Sequence, residues 1–122
     1  MSQPESRTFS LRVLLTVTTG RLLTKGNGER GNGIGDLYGI LGWMTGEAPF
    51  THQLPRFGEE CRPWLLRWFP ELDAVNESLP QLDRMITERG AEKGVELWLA
   101  NLLAIGAVHE SYDVFRIPYE GH

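Results

Sequence analysis

Hydrophobic and polar residues alternate along the start of the chain. The apolar positions are Phe9, Leu11, Val13, Leu15 and Val17, and the polar positions are Ser10, Arg12, Thr16 and Thr18. A period of two among β-branched and aliphatic residues is typical of a strand with one buried face. The pattern therefore predicts a strand over residues 7–19 that ends at Thr19 and Gly20. Leu14 interrupts the alternation, which predicts that the second face is partly covered.

The spacing of apolar residues then changes to that of helices. Asp36 can cap a short helix, because its carboxylate can accept hydrogen bonds from the free N–H groups of the first turn. Pro55 and Pro63 suit the first turns of two more helices, at about residues 55–61 and 63–69, since the first turn leaves its N–H groups unused. The sequence therefore predicts a series of short helices.

Two further helices and a second strand region follow. The Ser78–Gln81 pair forms a capping-box pattern at the start of one helix, which ends at Gly90, and a longer helix ends at Gly106. Residues 108–117 read as one or two strands that can pair with the first. The prediction is an α+β fold in which the short helices of a region at 36–106 pack on a small antiparallel sheet formed by the N- and C-terminal strands.

Glycine is concentrated in residues 25–35, which read KGNGERGNGIG. Within them Gly26–Gly31 matches the G-x-G-x-x-G pattern of dinucleotide-binding sites. In those sites the last glycine lies in a helix whose N-terminus faces the pyrophosphate, whereas here more loop residues follow. The segment is therefore predicted to be a Gly-rich surface loop, with nucleotide binding as the alternative interpretation.

Composition and charge narrow the class of protein. The 122 residues fit one domain over 1–122, and the formal net charge is −4 with a pI near 5.3. Nucleic acid is therefore not expected as the main partner, because phosphate binding needs clustered cations. Cys61 is the single cysteine, which excludes an intramolecular disulfide and fits a reducing compartment. No long apolar run is present, so we expect a cytoplasmic protein with no membrane partner.

Candidate catalytic groups are sparse. Cys61 with His52 or His109 is one conceivable nucleophile and base, but catalysis also needs a third orienting group and a lowered thiol pKa. Cys61 lies in an aromatic-rich segment, which favours a buried structural thiol. Three scattered histidines and one cysteine lack the paired spacing of a metal site, so we predict no metal, no cofactor and no catalytic residue.

The segment Thr51–Arg56 is the strongest candidate binding surface. It reads THQLPR, so Thr51, His52, Gln53 and Arg56 surround a proline at a predicted helix start. Such a start holds side chains in defined directions, and free N–H groups are also available there. The alternative is a rigid loop whose polar groups bond to each other. Thr19 and Arg21 are two further candidates, at the end of the predicted first strand.

Several blocks of sequence carry a resemblance to a known family. They are Leu15–Leu22 (LTVTTGRL), Tyr38–Gly46 (YGILGWMTG), Thr51–Arg56 (THQLPR), Cys61–Leu66 (CRPWLL) and Phe69–Leu72 (FPEL). In this order they resemble an uncharacterised family of small bacteriophage and prophage proteins, over about residues 13–75. The family carries no established activity, so the resemblance implies a context, a phage gene product inside a bacterial cell, and no catalytic residue.

These observations lead to three hypotheses. The first is a phage-encoded, non-enzymatic binding protein, which could inhibit a bacterial defence system such as CRISPR by contacting a host or phage protein. The second is a protein that sequesters a small molecule or nucleotide. The third is a small enzyme using His52 and Cys61. An exposed apolar patch favours the first, a concave cationic pocket the second, and a hydrogen-bonded base and nucleophile the third.

Overall fold

The computed structural model of the protein describes residues 5–21, 23 and 34–118. The strands are β1 (Ser6–Ser10) and β2 (Ser111–Phe115), and the helices are α1 (Leu11–Thr19), α2 (Ile34–Thr45), α3 (Leu54–Trp68), α4 (Glu71–Val75), α5 (Leu79–Arg89) and α6 (Ala91–Ala104). Short 3₁₀ turns at Thr51–Gln53 and Asn76–Ser78 precede α3 and α5. Within the described ranges, no helix is both long enough and apolar enough to cross a membrane.

The two strands pair antiparallel, so the predicted sheet of N- and C-terminal strands is confirmed. Ser6 pairs with Phe115 at one end, and Ser10 pairs with Ser111 at the other. Alternate residues of a strand point to the same face, and in β2 the buried residues are Tyr112 and Val114. These two therefore lie on the face that packs against the helices. The predicted α+β fold, mostly short helices on a small sheet, is likewise confirmed.

The prediction of one strand over residues 7–19 is wrong beyond Ser10, because Leu11–Thr19 is a helix. Seven of its nine residues are buried, and the two partly exposed ones, Arg12 and Thr19, are too few to mark the period of 3.6 clearly against the alternating apolar residues. The threonines also have helical partners: the Thr16 hydroxyl donates to the Arg12 carbonyl at 2.8 Å. The predicted end is confirmed, since Gly20 stops the helix with φ +77°.

The prediction of two helices around Pro55 and Pro63 is also wrong, since Leu54–Trp68 is one helix with Pro63 inside it. An internal proline removes a backbone hydrogen bond and costs about 3 kcal/mol. The apolar stripe of Leu54, Phe57, Cys61 and Leu65 is buried on both sides of Pro63. Packing of this continuous stripe outweighs the break. Pro63 itself is exposed, so water can reach the carbonyl that lost its partner.

Helices α5 and α6 meet at Gly90, as the sequence predicts, and they form an antiparallel pair. Trp98 of α6 is 1% exposed, and its indole N–H donates to the Ser78 hydroxyl at 2.9 Å. Gly94 lies where α6 contacts α5: a Cβ atom there would stand 2.7 Å from the backbone of Ile86. The predicted Gly-rich loop lies outside the described residues as far as residue 33, and Gly35 lies in α2.

Candidate functional site

The chain between α2 and α3 makes a hydrogen-bonded turn, Phe50–Gln53, which we call the Phe50 turn. The Phe50 N–H donates to Gln53 Oε1 at 2.9 Å, and the Gln53 N–H donates to the Phe50 carbonyl at 2.8 Å. The hydroxyls of Tyr38 and Thr51 share a hydrogen bond that ties the turn to α2. Thr51 and Gln53 therefore hold the turn in shape, as the rigid-loop alternative predicts for them.

The Phe50 turn presents two rings to solvent. Phe50 is 69% exposed. The His52 imidazole lies parallel to the phenyl ring, with 6.1 Å between centroids and 2° between planes, and His52 is exposed as well. Because the backbone beneath them is hydrogen-bonded, the Cα–Cβ bonds of both residues leave the turn in defined directions. Phe50 is thus an exposed apolar projection beside an imidazole.

Arg56 is exposed in the first turn of α3. Its guanidinium carbon lies 5.7 Å from the centroid of the Phe57 ring. The depression next to it is lined by Glu47, Phe57 and Glu60. Two carboxylates beside one guanidinium make this an area of mixed charge and not a cationic pocket.

Thr19 and Arg21 have partners inside the chain. The Thr19 hydroxyl donates to the Leu15 carbonyl at 2.5 Å and accepts the Arg21 N–H at 3.2 Å, which closes the end of α1. The Arg21 guanidinium pairs with Asp83 of α5 through two hydrogen bonds, and this pairing lowers the pKa of the Asp83 carboxyl. Thr19 therefore closes the end of α1, and Arg21 connects the residue after it to α5.

Cys61 is buried in the core, among the apolar residues of α3. Removal from water raises the pKa of the Cys61 thiol to about 12, and the nearby Glu60 carboxylate adds to the rise. At neutral pH the group is therefore a thiol and not a nucleophilic thiolate. The hypothesis of an enzyme using His52 and Cys61 thus lacks an activated nucleophile. In the part of the chain that the structure describes, no three His, Cys, Asp or Glu side chains form a metal-binding group.

The Cys61 thiol should make the fold less stable in alkali. Its pKa rises from an ordinary 9.0 to about 12 on folding, so between these values the unfolded chain loses a proton that the folded chain keeps. From pH 8 to pH 10 the free energy of unfolding should fall by about 1.4 kcal/mol from this group. Urea unfolding at both pH values measures the change.

Cys61→Ala is the control for this titration. The substitution should lower the free energy of unfolding by on the order of 1 kcal/mol at neutral pH. The variant should also lose most of the fall in stability between pH 8 and pH 10. A smaller alkaline loss should remain from Tyr112, whose burial raises its pKa from 10.0 to about 12. Labelling of native Cys61 within seconds by a thiol reagent at pH 7 would contradict a buried thiol.

Sequence reasoning did not place Phe50 in the site. The residue lies directly before the Thr51–Arg56 segment, between Pro49 and Thr51. A large aromatic residue in a polar segment rich in prolines was the available signal. Its exposure could not be inferred, since aromatic residues of the neighbouring α3, such as Trp64 and Trp68, pack against each other.

One comparison with known proteins gives a match. The model of the family described as Domain of unknown function (DUF7736) matches residues 9–75, more than half of the chain, and the chain therefore belongs to this family. The match contains α1 to α4 and the whole of Thr51–Arg56. No curated protein and no solved structure matches the chain.

Proposed function

We propose that this member of the DUF7736 family is a non-enzymatic protein that binds another protein through the Phe50 turn and Arg56. The observation that carries the proposal is the 69% exposure of Phe50 on a hydrogen-bonded turn. Burying a phenylalanine side chain against a partner is worth roughly 1.5–3 kcal/mol. The backbone of a preformed turn loses little additional freedom on binding, so more of that energy contributes to affinity.

The chemistry around the rings favours a protein over a nucleotide as the partner. Aromatic and arginine side chains are enriched among the residues that dominate protein interfaces. A phosphate group would approach Arg56 past Glu47 and Glu60, and like charges disfavour that approach. A polypeptide can offer an apolar group to Phe50 and a hydrogen-bond acceptor to Arg56 at the same time.

The resemblance to phage and prophage proteins extends the proposal to a biological setting. In that setting the chain acts in the cytoplasm of a bacterial host, and its partner is a host protein such as a component of a defence system. Binding through an exposed turn then inhibits the partner by covering part of its surface. Support for this extension comes from the sequence blocks alone, whereas support for protein binding comes from the exposed side chains.

Site-specific photo-crosslinking in host lysate tests the proposal and identifies the partner. A photoreactive residue replaces His52 in one variant and Arg84, on the exposed face of α5, in the matched control. We expect one protein to be captured from position 52 and not from position 84, and unlabelled wild-type chain to compete for it. Equal capture from both positions, or none from position 52, would contradict binding at this turn.

Arg56→Ala should weaken binding of the captured partner about thirty-fold, which corresponds to roughly 2 kcal/mol. The guanidinium is exposed, so stability should change by less than about 0.5 kcal/mol. Arg84→Ala removes the same group from another exposed helix and should leave affinity unchanged. If Arg56→Ala lowers the melting temperature and affinity per folded molecule stays constant, Arg56 is part of the scaffold.

A further inference from the structure

A cavity of about 370 Å³ lies between the C-terminal end of α1 and the first half of α3. Its apolar walls come from three elements, with Val17 of α1, Leu37 of α2 and Leu54 of α3 among the lining residues. Exposed Pro55 and Glu59 lie at its mouth. A volume of this size, with mostly apolar walls and few polar groups, is typical of small-molecule sites.

Gly58 keeps one side of this cavity open. It lies inside α3, where glycine is less favourable than alanine. A Cβ atom at this position would meet no other atom within 4 Å, so close packing does not require glycine. The missing side chain therefore adds to the free volume beside the apolar walls.

Arg62 supplies a positive charge to the cavity wall. The side chain is half-buried, and its Nε–H donates to the Val17 carbonyl at 3.1 Å. The hydroxyl of Thr16, also in the wall, is already used: it donates to Arg12 and accepts from the Leu23 N–H. Arg62 is thus the group in the wall with donors left for an anion.

We propose that this cavity binds a small monocarboxylate with an apolar body. The carboxylate lies on the N–H groups of Arg62 that remain after the bond to Val17, and the apolar body fills the space beside Leu37, Leu54 and Gly58. Glu59 is exposed at the mouth, where water and salt screen its charge from the ligand. Phe50, His52 and Arg56 do not line the site, which adjoins the protein-binding segment at Leu54 and Pro55.

Calorimetric titration with hexanoate and 1-hexanol tests the site. The two probes share an alkyl chain and differ in the charged group. Hexanoate should bind with a Kd below about 1 mM, and 1-hexanol at least about tenfold more weakly.

Gly58→Leu is the decisive variant, because Arg62 also holds α1 and its substitution would test folding as well as binding. A leucine at position 58 fills the cavity and should abolish hexanoate binding while the circular dichroism spectrum stays native. Gly39→Leu is the matched control, since a Cβ atom at Gly39 of α2 also meets nothing within 4 Å and Gly39 does not line the cavity. No saturation by about 10 mM hexanoate, equal affinity for 1-hexanol, or binding that survives Gly58→Leu overturns the proposal.

Discussion

Replacing Gly94 with alanine should lower the free energy of unfolding by about 2–3 kcal/mol and the melting temperature by roughly 10 °C. The added Cβ would lie 2.7 Å from the N and Cα atoms of Ile86 and 2.9 Å from the carbonyl carbon of Met85. These are backbone atoms of α5, so no side-chain rotation relieves the overlap. The two helices must separate, and the contacts around Trp98 then loosen.

Thermal and urea unfolding followed by circular dichroism measure this effect. Gly39→Ala is the control, because it makes the same change in an open position of α2 and should be neutral or stabilising by up to about 1 kcal/mol. If Gly94→Ala were as stable as Gly39→Ala, the close approach of α5 and α6 would be contradicted.

The sequence predicts the ends of elements better than their type. Gly20, Gly46, Gly90 and Gly106 all adopt positive φ at helix ends. A residue with φ > 0 favours glycine whatever precedes it, so glycine is a local signal. The state of the preceding residues depends on burial instead. α1 is buried on most of its surface, so apolar residues also occur at positions that are polar in an ordinary surface helix. Its sequence therefore resembles the alternating pattern of a strand.

Tertiary packing also explains where the structure differs from the sequence-based prediction in α2 and α3. Pro63 predicts a helix start, but the apolar stripe of α3 continues past it and keeps one helix. Gly39 and Gly42, in the middle of α2, suggest close packing: a Cβ at Gly42 would lie 3.3 Å from the Glu47 carbonyl oxygen, whereas one at Gly39 would meet open space. The closest approach is at Gly94. Spacing along the chain does not reveal which helix lies opposite a glycine.

The candidate site was partly predictable. Its position along the chain follows from a local feature of the sequence, whereas the role of each side chain in it does not. The density of hydrogen-bonding groups in Thr51–Arg56 indicates an ordered surface segment. The role of Thr51 depends on a contact from another element, because Tyr38 of α2 engages its hydroxyl, whereas Gln53 bonds to Phe50 within the turn itself. In the same way, Arg21 reaches Asp83, which is distant in sequence. Long-range pairs of this kind leave no mark in the local pattern.

Phe50→Ala should weaken binding of the crosslinked partner by roughly a hundred-fold, or about 2.7 kcal/mol. The phenyl ring is the most exposed apolar group of the Phe50 turn, and its parallel contact with His52 presents a continuous ring surface. Stability should change by less than about 0.5 kcal/mol, because the ring is mostly in water and the backbone hydrogen bonds of the turn do not involve it.

The most direct test of protein binding through the Phe50 turn is the affinity of the partner for Phe50→Ala beside that for Ile105→Ala, measured by calorimetry. Ile105 is 75% exposed at the end of α6, so its removal also deletes an exposed apolar group. We expect about a hundred-fold loss for Phe50→Ala and unchanged affinity for Ile105→Ala, with both variants as stable as the wild type. Unchanged affinity for Phe50→Ala, or an equal loss in both variants, would contradict the proposed role of the turn.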